Sequence, residues 1–175
     1  SFPTRRSSDL IMEYGTLKNA AYFCSVGLSS DNIDDEPIDG VYFGDLISEN
    51  SYGKVYIMLG INEVGNDPEY VLTRYRSVVE RVKVNQPDAV IYLMANLRVA
   101  ASAETDSINN SAIDTLNSMI STLADYRRTF YLDANPLFDN GYGYLEEEET
   151  FDGVHVYAED YPTWTTWLMQ NTVPQ

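Results

Sequence analysis

The chain has 175 residues, 44% of them apolar, 13% aromatic and 22% charged, and its 11 Lys and Arg against 27 Asp and Glu leave a formal charge of −16. A chain of this length suits one domain that buries roughly 70% of its unfolded surface, so its core needs neither disulfide nor metal; the one cysteine, Cys24, cannot form an internal bridge and leaves the compartment open. The acidity excludes nucleic acid and disfavours anionic membrane surfaces, no apolar run nears the ~20 residues of a membrane span, and the first residues lack the apolar core of a signal peptide.

Residues Ser1–Asp9 (SFPTRRSSD) mix Pro, Arg and Ser without helix or strand periodicity. They read as an atypical leader foreign to the domain, which is expected over residues 10–175, and on this reading the natural start is missing. From Ala20 onward short β-rich runs alternate with helical patterns, with no repeat and no linker. The runs are Ala21–Val26, Lys54–Leu59, Ala89–Ala95 and Thr129–Asp133, apolar almost throughout rather than alternating. Such runs predict strands buried on both faces of a parallel sheet.

Between the second and third runs, Asp67-Pro68-Glu69 supplies a helix cap, a proline suited to the first helical position and an acid in the first turn. Val71, Tyr75, Val78, Val79 and Val82 then recur at helical spacing, and Pro87 ends the pattern. Ile113, Leu116, Ile120 and Leu123 predict a second helix, and Tyr161, Trp164, Trp167 and Leu168 a C-terminal one. Strand and helix alternating is α/β. Right-handed crossovers then give a three-layer α/β/α sandwich around a flavodoxin-like parallel sheet.

In open α/β sheets ligands sit beyond the carboxyl ends of the strands. After the first run comes Ser25-Val26-Gly27-Leu28-Ser29, and after the second Gly60-Ile61-Asn62-Glu63. Near the C-terminus stands Asp152-Gly153-Val154-His155, with the only histidine of the chain. Any imidazole chemistry therefore uses His155, and Asp152, three residues earlier, is close enough to fix its tautomer.

In their order and placement these segments resemble the SGNH (GDSL-type) family of esterases and acylhydrolases, over essentially Ile11–Asn171. The resemblance implies a catalytic pair of His155 and Asp152 and an oxyanion hole from the Gly27 N–H and the Asn62 amide. It implies serine ester hydrolysis without cofactor or metal, on a small-molecule or carbohydrate ester such as an O-acetyl sugar. The third block reads GINE, so Glu63 stands where the family has an aspartate of no catalytic role. The first block, a glycine-aspartate-serine segment carrying the nucleophile, is not in this sequence. Ser7-Ser8-Asp9-Leu10 is not that motif, and if Ile11-Met12-Glu13-Tyr14 opens the following helix, the nucleophile would fall where Arg6 stands. In the family the strand before the nucleophile lies between those of Ala21–Val26 and Lys54–Leu59. The expected outcome is a fragment lacking its first central strand, with a gap or a forced rearrangement beside two unpaired strand edges.

Other features read more plainly. The acidic run Asp31–Glu36 lacks a calcium-loop pattern, and it and Glu146–Glu149 read as solvated surface. Tyr142, Tyr144 and Tyr157 fall near the presumed entrance, where rings can stack on sugars, though edge-of-core packing is the simpler role. Cys24 reads as a small hydrophobe in a strand. Against the hydrolase stands a second reading, a catalytically inactive glycan- or protein-binding module on the same fold. A phosphate-binding domain ranks last, since no glycine-rich phosphate loop is present and the net charge repels anions.

Overall fold

A computed structural model of the chain describes residues 14–17 and 19–172. The leader, Ser1–Asp9, and Ile11-Met12-Glu13 lie outside the described residues. In chain order the regular elements are helix α1 (Phe43–Glu49), strand β1 (Lys54–Ile57), helix α2 (Pro68–Asn85), strand β2 (Val90–Met94), helix α3 (Asn110–Ser121), strand β3 (Thr129–Leu132) and helix α4 (Tyr161–Gln170).

The local signals act as their chemistry dictates. Asp67 caps α2 by accepting the Tyr70 N–H at 2.9 Å, with Pro68 in the first turn where a missing N–H costs nothing. Asn109 caps α3 by accepting the Ala112 N–H at 3.0 Å. Past the end of α2, the buried Gln86 amide donates to the carbonyls of Ile47 (2.5 Å) and Asn50 (2.6 Å) and accepts the Tyr52 N–H (2.8 Å). One side chain thus closes the end of α1 and launches β1.

The sheet is parallel in the order β1-β2-β3. Its register sets Tyr56, Tyr92 and Phe130 in a row across the strands. Their rings stack at centroid distances of 5.0 Å and 5.8 Å. Alternation along β2 divides the core: Ile91 and Leu93 join the cluster under α1, α2 and α3, while Met94 joins the cluster under α4. Helices therefore cover both faces, giving the expected three-layer α/β/α arrangement.

One expected strand does not form. Residues 21–25 carry no regular structure and Val26 enters a turn; the segment belongs to no sheet, and a cavity of about 1160 Å³ lies between it and β1. Ala21, Tyr22, Phe23 and Cys24 line one wall, and Val55, Tyr56 and Ile57 line the other. A strand is defined by its ladder, and at this separation no ladder closes. Of the two strand edges expected beside a gap, the structure has one, that of β1. The segment's apolar residues still pack inward, as where Phe23 meets Phe43 of α1 at 5.5 Å.

Candidate active site

The segment leaving β2 anchors the site. Three asparagines hold its backbone: Asn117 exchanges hydrogen bonds with the Asn96 N–H and carbonyl (2.8 and 2.9 Å), Asn110 does the same with Val99 (2.8 Å each), and Asn135 accepts the Arg98 N–H (2.7 Å). All three are buried, so each substitutes for water at groups that would otherwise be orphaned. Ala100 then donates its N–H to the Gly153 carbonyl at 2.7 Å, joining this segment to the turn that carries Asp152 and His155.

That turn is built around two side chains. Thr150 Oγ1 accepts the Gly153 N–H (2.9 Å) and donates to the His155 carbonyl (2.7 Å). Asp152 Oδ1 accepts the N–H groups of Val154 (2.9 Å) and His155 (2.8 Å), and its Oδ2 lies 2.7 Å from His155 Nδ1. Gly153 has φ +79°, and a Cβ there would stand 2.5 Å from the Ala103 Cβ, so only glycine fits. Burial pushes the Asp152 carboxyl up, but the His155 N–H, the His155 ring and the Val154 N–H outweigh it and leave it below its ordinary value. The carboxylate is charged at neutral pH and fixes the imidazole with Nδ1 toward itself.

The loop after β1 supplies the second half. Gly60 has φ +113°, and a Cβ would come within 2.8 Å of Leu116 Cδ2 on α3. From this turn Asn62 donates its amide to the Leu28 carbonyl at 2.6 Å. Its neighbour Glu63, buried to 3% exposure, accepts the Ser30 N–H at 2.9 Å and the Ser30 hydroxyl at 2.6 Å. Asn32 closes the same loop, accepting the Ser29 N–H (2.8 Å) and donating to the Gly27 carbonyl (3.0 Å).

Asn62, Asp152 and His155 line one cavity together with Gly60, Ser25 and Leu28. Gly27 is not on its wall; it sits one residue behind Leu28, held by Asn32. Among the described serines, the hydroxyl of Ser30 serves Glu63, that of Ser29 accepts the N–H groups of Asp31 and Asn32, and Ser25 lines the cavity; none bonds to the imidazole. Two residues that the sequence analysis does not name, Thr150 and Asn110, shape the turn and its anchor, and Glu63, given no catalytic role there, clamps the Gly27 loop. The only advance signal was a threonine two residues before Asp152. Phe151 was also missed; it stacks beside His155 with centroids 6.1 Å apart and planes at 17°.

Among the described residues no three His, Cys, Asp or Glu side chains gather as a metal site, and no helix is long and apolar enough to cross a membrane.

No curated protein matches the chain by sequence. Solved structures do match in shape. A Streptococcus pneumonia protein provisionally described as a platelet activating factor is 19% identical, with a TM-score of 0.72, over 94% of this chain and 77% of its own. A GDSL-like lipase from Bacteroides thetaiotaomicron is 20% identical, with a TM-score of 0.62, over 82% and 70%. The acetyl xylan esterase AlAXEase is 15% identical, with a TM-score of 0.61, over 84% and 77%. At such identities these likenesses concern the fold. A sequence model of the GDSL-like Lipase/Acylhydrolase family matches residues 13–161, the span that holds β1, β2, β3 and the Asp152–His155 turn, and the chain belongs to that family.

Proposed function

We propose that the domain is a serine ester hydrolase acting on small acyl esters, O-acetyl groups on carbohydrate among them. The observation that carries the reading is the 2.7 Å contact of His155 Nδ1 with Asp152 Oδ2 on the wall of the cavity that Asn62 also lines. The attacking hydroxyl comes from a serine outside the described residues, on a strand that would occupy the cavity beside β1; the apolar walls on either side of that cavity support this. The serine oxygen forms a bond to the acyl carbon while its proton passes to His155 Nε2, and Asp152 steadies the imidazolium. One Asn62 amide hydrogen holds Leu28; the second donates to the developing oxyanion, while Gly27, off the cavity wall, supplies the turn that sets Leu28 against Asn62. The carbon–oxygen bond to the alcohol then breaks as Nε2 returns the proton. Water repeats the sequence to release the acid. The acetyl xylan esterase among the structural neighbours supports the choice of a carbohydrate ester. The test is hydrolysis of p-nitrophenyl acetate by the full-length gene product and by its His155→Ala variant. A loss of roughly 10³-fold or more is expected; equal rates remove His155 from the mechanism.

A second reading, a binding module on the same fold, is favoured by one observation: no described serine hydroxyl bonds to the imidazole. The coding sequence upstream of Ser1 discriminates. A strand followed by glycine-aspartate-serine supports the enzyme, and its absence supports the binder.

A further inference from the structure

We propose that Phe151 and Tyr157 form a platform for an uncharged pyranose ring, the alcohol side of the ester, so that this pair sets which esters reach His155. The proposal rests on the ester hydrolase reading. Phe151 is 61% exposed and Tyr157 37% exposed, two large rings open to solvent side by side. Their centroids lie 6.1 Å apart, and Phe151 in turn stacks on the His155 imidazole. Neither ring lines the cavity that His155 lines. The imidazole therefore stands between the cavity and an open aromatic surface, placed to hand the proton it takes from the nucleophile's hydroxyl to an alcohol held outside.

The chemistry of the rim selects the occupant. The stretch around the two rings, Glu146 to Asp160, carries seven Asp and Glu and no Lys or Arg. Around Glu149, burial and then the carboxylates of Asp160, Glu159 and Glu148 push its own carboxyl up, a sign of crowded negative charge. A sugar bearing a carboxylate or phosphate meets repulsion there. A neutral pyranose does not: its C–H face carries partial positive charge and lies against the open face of Phe151, with Tyr157, tilted 47° to it, flanking the sugar, while its hydroxyls can donate to the surrounding carboxylates.

Direct binding tests this without requiring turnover. Ligand-observed NMR on the full chain measures xylohexaose, a glucuronic-acid-substituted xylo-oligosaccharide and acetylcholine, with the wild type, Phe151→Ala and Phe151→Trp. Circular dichroism checks that each variant is folded, which the exposure of Phe151 favours. The expected result is that xylohexaose binds best, that Phe151→Ala weakens it roughly tenfold, and that Phe151→Trp retains it. Unchanged affinity in Phe151→Ala, no xylohexaose binding by the folded wild type, or preference for the anionic sugar or the cation overturns the platform. Failure of the hydrolase reading shows separately, as unaltered ester hydrolysis in His155→Ala beside intact, Phe151-dependent glycan binding.

Discussion

The backbone N–H of Ala100 and the carbonyl of Gly153 meet at 2.7 Å, and through this contact the turn that presents His155 is fastened to the segment leaving the central strand. The contact is close because Gly153, at φ +79°, leaves no room for a side chain against Ala103. Gly153→Ala should therefore cost about 2–4 kcal/mol, combining left-handed strain with overpacking. Urea unfolding measures it, and a loss under ~0.5 kcal/mol would contradict the packing described.

Asp152 carries two separable consequences. Asp152→Asn puts an amide where His155 Nδ1 needs an acceptor, and in the active full-length protein kcat should fall by about 10⁴, the cost known for an asparagine replacing an orienting aspartate. The folded carboxyl titrates below its ordinary value, so the stability it contributes is present above the unfolded pKa near 3.9 and is lost as pH falls through the lower folded one. Wild type and Asp152→Asn should thus converge in Tm as pH drops below ~4. A gap that widens in acid would reverse the assigned sign.

Glu63 links two loops 33 residues apart through Ser30. Glu63→Ala leaves the buried Ser30 N–H and hydroxyl without that acceptor and should cost about 2–4 kcal/mol. Glu63→Gln keeps an acceptor oxygen for the Ser30 N–H and should cost about half as much. Hydrogen exchange across residues 27–33 reports the mechanism. It should accelerate in the alanine variant and stay near wild type in the glutamine variant.

Asp125 organises the approach to β3, accepting the N–H groups of Arg127, Arg128 and Thr129 at 2.8 to 2.9 Å. Those three bonds bring its carboxyl down to about 2. Asp125→Ala should cost about 1–2 kcal/mol at neutral pH. Because the folded pKa is depressed, that difference should shrink as pH falls from about 4 toward about 2. Thermal melts of both proteins across this window check it.

What could be read from the residues alone followed the range of the forces involved. Asp67-Pro68 and the run Val71–Val82 announced α2 because capping and amphipathic spacing act within a turn or two. β2 was legible because a strand buried on both faces is apolar throughout. Ala21–Val26 has the same composition and forms no strand, since strand identity depends on a neighbour that composition does not encode. α1 went unseen because seven residues with Phe43 and Ile47 as their buried pair carry little periodic signal. In the site, Asp152 and His155 were visible through a three-residue spacing. The bond from Asn62 to Leu28 and the clamp of Glu63 on Ser30 span more than thirty residues and emerge only from the packed loops.

The aromatic row of Tyr56, Tyr92 and Phe130 gives the sheet an optical signature of its own. Both tryptophans, Trp164 and Trp167, belong to α4, so indole fluorescence follows the packing of that helix on the sheet. Near-ultraviolet dichroism from the coupled tyrosines would instead record β1 peeling from β2. A spectrometer can therefore follow the aromatic row and the helix over the same face of the sheet as two signals, with no label added.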